Sequence, residues 1–179
     1  MKKATLLLSA LCAAGLSLSA NAVSVTSTYI QNSATEIRGW LGRYASPTVY
    51  INQRACGEPS PSAYACGTRT ISVGTSFLQG QENAYGNYVS KFILAHEWGH
   101  SIQFSYNIYR QAPYQELQAD CVGGSHVRYA QTNLGYGSFL EASVRSARAA
   151  ADYGEHGTPS QRDYYARYGY QNGLNACFN

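Results

Sequence analysis

Two histidines four residues apart, with a carboxylate pair a short way beyond them, constrain this chain more than any other feature. The segment His96-Glu97-Trp98-Gly99-His100 is separated by fifteen residues from Glu116-Leu117-Gln118-Ala119-Asp120. In an α-helix, residues i and i+4 share a face, so His96 and His100 can reach one metal ion. The run Tyr88–Ala95 ahead of them has no Pro or Gly. Phe92, Ile93, His96 and His100 form one stripe, so the histidines extend an apolar face that points inward. Glu97 is turned from the ligand pair yet close enough to act on water at the metal, so the H-E-x-x-H pattern implies chemistry as well as a site.

Helical spacing also puts Glu116 and Asp120 on one face. A tetrahedral catalytic zinc takes three protein ligands and keeps one position open, and two histidines with a glutamate are an established set. Glu116 is then the expected third ligand, with one zinc per chain. Asp120, one turn on, is placed to accept a hydrogen bond from a ligand histidine and fix its tautomer. The short spacer tests the geometry. At a rise of about 1.5 Å per residue, a helix continuing to Arg110 would run roughly 15 Å past the metal. The metal helix should therefore stop near Ser105–Asn107, with Asn107 as a left-handed end residue. Residues 108–112 would return, and Pro113 would open a second helix with Glu116 in its first turn.

The chain opens like an export signal. Lys2 and Lys3 precede an apolar run from Ala4 to Leu18, and Ala20-Asn21-Ala22 fits a small-residue cleavage site. Cys12 follows Leu11 where a lipid-anchored form would carry a small residue. The apolar run is short for a membrane span, and no later segment approaches the ~20 apolar residues one needs. Removing residues 1–22 leaves Val23–Asn179, a length that suits one domain. It also leaves eleven basic residues against ten acidic ones. That near-neutral balance gives no electrostatic footprint for nucleic acid or an anionic membrane. Sixteen tyrosines suit an exported protein with a polar, aromatic surface.

Beyond the leader the cysteines are Cys56, Cys66, Cys121 and Cys177. An even count in an oxidising compartment reads as two disulfides, and three pairings are possible. Cys56 with Cys66 closes a loop holding Gly57, Pro59, Ser60 and Pro61, which leaves Cys121 to tie the second helix to Cys177. Helices are expected over Ser24–Tyr44, through the metal motif, from Pro113 past Tyr129, and from an N-cap at Ser138 to Ala150 with Gly154 as the stop. Gly123-Gly124 in the second metal helix would allow either close packing or a kink. Thr158-Pro159-Ser160-Gln161 resembles a capping box opening a last helix through about Tyr170. Strands are expected at Thr48–Asn52 and Thr70–Val73, and a turn-rich stretch at Gly80–Asn87. The fold class is α+β, mostly helical, with a small sheet beside the active-site helix.

With these residues in place, the chain resembles the neutral zinc metallopeptidase family of bacteria. The likeness rests on Leu94–Gln103, on Glu116–Cys121, on His156-Gly157-Thr158 with Gln161-Arg162, and more weakly on Ala55-Cys56-Gly57 and Tyr64-Ala65-Cys66. It implies a gluzincin-like peptidase with zinc on His96, His100 and Glu116, and Glu97 as general base. The partner would be a peptide or protein substrate, and the destination periplasm or medium. The stretch between the metal clusters is shorter than in that family, so the resemblance implies a reaction class and no substrate. His156, in a Gly-flanked loop, is the expected donor to the oxyanion, with Tyr106, Tyr109 and Tyr114 as alternatives. Nothing around His126 has ligand spacing, and it reads as structural. The competing expectations are an exported binding protein with a structural zinc, and a zinc hydrolase of a non-peptide amide or ester.

Overall fold

The structure, a computed structural model, describes residues 22–58 and 62–179. The expected leader therefore lies, except for Ala22, outside the described residues, as do Pro59, Ser60 and Pro61. Among the described residues the chain forms six α-helices and a three-stranded sheet, so it is mostly helical α+β. The elements that build the floor of the molecule come first. Helix α1 (Ser27–Leu41) starts where the Thr26 hydroxyl accepts from the Tyr29 amide, and it buries Ile30, Ala34, Ile37 and Leu41. These recur at intervals of four and three, the signature of one buried helical face. Strands β1 (Thr48–Ile51), β2 (Ala63–Ala65) and β3 (Thr70–Val73) follow. β3 lies in the middle, parallel to β1 and antiparallel to β2, which leaves β2 at an edge.

Two elements differ from the sequence expectation. β2 is a third strand in a segment with no β-branched residue, formed because the Cys66 amide bonds the Thr70 carbonyl and turns the chain back onto β3. The stretch read as turn-rich from Gly80 is instead the second half of helix α2 (Thr75–Tyr85), which tolerates Gly80 because Leu78 and Glu82 are buried. The Glu82 carboxylate accepts from the amides of Tyr88 (2.7 Å) and Ser90 (3.0 Å). These are free N–H groups at the start of the next helix, where a negative charge is favourable. No acidic residue lies in that helix's own first turn, so α2 supplies the charge.

Helix α3 (Val89–Ser105) is buried nearly all round. On one side Leu94, Trp98 and Ile102 join Ile30, Ile37, Ile71 and Leu78 in the larger core. Trp98 sits between the two histidines in sequence but points away from them, donating to the Ala45 carbonyl at 2.8 Å. Asn107 has φ 53° and the Ile108 amide reaches back to the Gln103 carbonyl, so the helix stops where the spacing requires.

Helix α4 (Tyr114–Asn133) puts Glu116 in its first turn. It passes unbroken through Gly123-Gly124, which settles that pair as a packing device. A Cβ on Gly124 would lie 1.8 Å from the Ala166 carbonyl oxygen, and one on Gly169 would lie 1.9 Å from that of Cys121. Helices α4 and α6 (Pro159–Asn172) thus touch backbone to backbone. The α6 capping box is present: Thr158 Oγ1 accepts from the Gln161 amide, and the Gln161 side chain accepts from the Thr158 amide. Helix α5 (Leu140–Ala149) begins one residue later than expected and closes on Ala150, the expected end. Phe139 is buried and takes the cap position, while Ser138 is exposed.

Disulfides join Cys56 to Cys66 and Cys121 to Cys177. The second ties α4 to a short 3-10 turn, Leu174–Phe178. Among the described residues, no helix is long and apolar enough to cross a membrane.

Candidate metal centre

The crossing of α3 and α4 brings His96, His100 and Glu116 together, with one ligand-type atom from each within 4.8 Å of the others. Nε2 of His100 lies 3.2 Å from Nε2 of His96 and 3.2 Å from Glu116 Oε1, and His96 Nε2 lies 3.1 Å from Glu116 Oε2. The far nitrogen of each ring is engaged elsewhere. His96 Nδ1 faces Asp120 Oδ1 at 2.9 Å, and His100 Nδ1 faces Gln103 Oε1 at 2.8 Å. Donating outward from both Nδ1 atoms leaves two Nε2 lone pairs and a carboxylate aimed at one point. Acceptors gathered in this way repel each other unless a cation lies between them, so the donor set fits a metal ion.

Asp120 is fully buried and clamped from behind. Arg162 on α6 donates Nε–H to Oδ2 and Nη2–H to Oδ1, both at 2.7 Å, and its Nη1 reaches the Ala150 carbonyl. Burial would raise the Asp120 carboxyl, but the charge and N–H groups of Arg162 hold it below its ordinary value. Burial would likewise lower His96. The hydrogen bonds and charges of Asp120 and Glu116 outweigh this and push the ring up to about 10 in the metal-free chain. Burial also opposes ionisation of Glu116, yet His100 and His96 carry it well below the usual carboxylate range.

Glu97 lies outside the ligand group but lines the same cleft, a space of about 850 Å³ that also takes in Ala63–Ala65, Tyr109 and His156. Burial lifts its carboxyl above the ordinary value, partly offset by the charges of His96 and His100 and by the Ala65 amide that hydrogen-bonds it. The residue read as a base is therefore poised toward proton uptake.

His156 sits on the loop between α5 and α6, with Nε2 3.9 Å from Glu116 Oε2 and its ring 41% exposed. Asp152 holds it, accepting from the His156 amide (2.9 Å) and pairing with Nδ1 (2.8 Å). The hydrogen bond from His156, with the Gly154 and His156 amides, pulls the Asp152 carboxyl down to about 2. Of the three tyrosines expected as alternatives, Tyr109 lines the cleft, while Tyr106 and Tyr114 are not among its lining residues. His126 lies apart, fully buried against Trp40 and Tyr129.

Sequence reasoning missed the roles of Gln103, Asp152 and Arg162. Gln103 stands three residues after His100 and Asp152 four before His156, so helical or turn spacing was an available signal for both. Arg162 is 42 residues from Asp120 and had no spacing signal, only its place in the resemblance. Compared with protein-family models, curated proteins and solved structures, the chain matches none of them.

Proposed function

We propose that this chain is an exported zinc metallopeptidase of the kind its motifs resemble, acting on peptide bonds in the cleft beside α3. The observation that carries the reading is the three-member group of ligand-type side chains with a buried glutamate beside it that is not one of the three. Two imidazoles and one carboxylate suit zinc, and three ligands leave a position open for catalysis. A zinc that only stabilises the fold is normally closed by four protein ligands, and among the described residues three converge. A base beside the metal also serves no purpose in such a site. The disulfides suit an oxidising compartment, which agrees with export.

Zinc bound there would acidify a water and polarise the carbonyl of the substrate. The chain's own residues supply the rest. Glu97 takes the water's proton and delivers it to the leaving amine, a role its raised carboxyl pKa favours. His156, oriented by Asp152 and lining the same cleft, donates to the oxyanion. Asp120 and Gln103 keep the two ligand rings in the tautomer that presents Nε2. β2 lies at the edge of its sheet and lines the cleft, which favours a peptide over a small ester, because an extended chain can add to a strand edge through main-chain hydrogen bonds.

Glu97→Gln tests the reading. Digestion of a peptide library should be abolished by a chelator and restored by zinc. The variant should lose about 10²–10⁴-fold in turnover while binding one zinc per chain. Turnover within a few-fold of wild type, or no zinc bound by the unmodified chain, would overturn it.

A further inference from the structure

His96 has a carboxylate to hold its Nδ1 proton, whereas His100 has an amide, and an amide has two faces. With Gln103 Oε1 toward the ring, Nδ1 carries the proton and Nε2 keeps its lone pair for the metal. With the amide turned over, its NH₂ would face Nδ1, the proton would move to Nε2, and His100 would be lost as a ligand. The direction of one amide therefore decides whether the site exists.

That direction is imposed by backbone groups. Gln103 Nε2 donates to the Gln115 carbonyl at 2.8 Å and to Gln118 Oε1 at 3.0 Å. Gln118 Nε2 donates in turn to the Cys177 carbonyl at 2.8 Å. Gln115 Nε2 donates to Gln103 Oε1 at 2.6 Å, while Gln115 Oε1 accepts from the Arg110 amide at 2.8 Å. A carbonyl can only accept and a backbone N–H can only donate. The carbonyls of Gln115 and Cys177 and the amide of Arg110 thus fix one polarity through all three side chains. Gln103 and Gln118 are 0% and 3% exposed, so water does not compete for these bonds.

We propose that Gln103, Gln115 and Gln118 form an amide lattice that selects the ligating tautomer of His100. Gln118, anchored on the Cys177 carbonyl, is a positioning residue for a metal it does not touch. The Cys121–Cys177 disulfide holds that carbonyl against α4, so the metal centre is tied to the turn at residues 174–178. The proposal rests on the metal-site reading above.

The test is zinc affinity, measured by competition with a chromophoric chelator on the full chain, together with the imidazole nitrogen shifts of His100. Gln103→Met should weaken zinc binding about 10–100-fold, as loss of a ligand's hydrogen-bond partner does elsewhere. Gln118→Met should weaken it less, about three- to tenfold, since the Gln115 carbonyl still holds Gln103. In both variants the metal-free His100 should lose its single Nδ1–H signature, while His96 keeps its hydrogen bond to Asp120. A role confined to stability would lower the melting temperature and leave the His100 tautomer unchanged. Should either variant fail to fold, the unmodified metal-free chain above neutral pH carries the test, because its His100 must hold the proton on Nδ1 and its Gln103 and Gln118 side-chain amides must exchange slowly. Wild-type zinc affinity in both variants, or the opposite tautomer in the unmodified chain, overturns the proposal. An unmodified chain that binds no zinc overturns the metal reading instead.

Discussion

His96 and His100 sit one turn apart on α3 and face the same point, yet their rings are held by different physics. Behind His96 stands a line of charges, with Asp120 on Nδ1 and Arg162 gripping Asp120 through two short N–H bonds. Behind His100 stand neutral amides ending on backbone carbonyls. Charge-assisted bonds are stronger one by one and make the ligand more basic, but each charge must be desolvated and depends on its partner. The amides carry no charge to desolvate, and their strength lies in number and direction. One side concentrates its stability in a single pair, while the other spreads it over several bonds.

Removing one member of the pair is the sharpest way to break the contrast. Arg162→Met strands a fully buried Asp120, and loss of one partner in a buried ion pair costs about 3–5 kcal/mol. Denaturant unfolding should show a loss of that order without zinc, and chelator competition a drop in affinity of about 10–100-fold. An unfolding loss below about 1 kcal/mol would mean that the charged side is no more concentrated than the amide side.

His126 sharpens the comparison from the other direction, since among the described residues neither of its ring nitrogens has a hydrogen-bond partner. Burial, with the charge of Lys91, lowers its pKa from 6.5 to about 3. The folded chain thus keeps the ring neutral where the unfolded chain takes up a proton. Stability contributed by this neutral ring is full above pH 6.5 and is lost as the pH falls toward about 3. His126→Phe should raise stability at neutral pH by about 1–3 kcal/mol, because it removes an unpaired buried polar group. It should also flatten the fall of stability within that acid window, leaving zinc affinity unchanged. Chemical denaturation at several pH values checks this, and an unaltered pH slope would refute it.

The smallest effect is expected at His156, whose partner is exposed. Asp152→Asn should leave zinc affinity as it is and slow peptide hydrolysis about fivefold or less, as for a solvent-screened pair. A larger loss in turnover would put His156 with the strongly held histidines.

What was legible in the sequence follows the range of the interaction. His96 with His100, and Glu116 with Asp120, could be read because helical spacing aligns each pair. Glu97 was read from its place in the motif, and the stop at Asn107 followed from the short spacer. The capping box at Thr158 and Gln161 was equally local. Helix α2 was not legible, because its polar residues and Gly80 suggest turns and its helicity depends on burying Leu78 and on Glu82 capping α3. β2 offers Ala-Tyr-Ala and exists only through its pairing with β3. The supports of the site were hidden for the same reason. A glutamine declares nothing about its acceptor, and the acceptor of Gln118 lies 59 residues away.

The tether at Cys177 has a consequence in time. All three candidate ligands have been made once residue 116 is added, but the arginine that clamps Asp120 comes at 162 and the carbonyl that orients Gln118 at 177. A nascent chain of intermediate length holds the ligands without what aligns them. The bond that fixes the last of these groups is a disulfide, which a reducing cytosol does not favour. On the proposed reading, alignment of the centre waits until residue 177 has been made and the disulfide can form in an oxidising compartment, so an exported chain would not carry the aligned site before it left the cytosol.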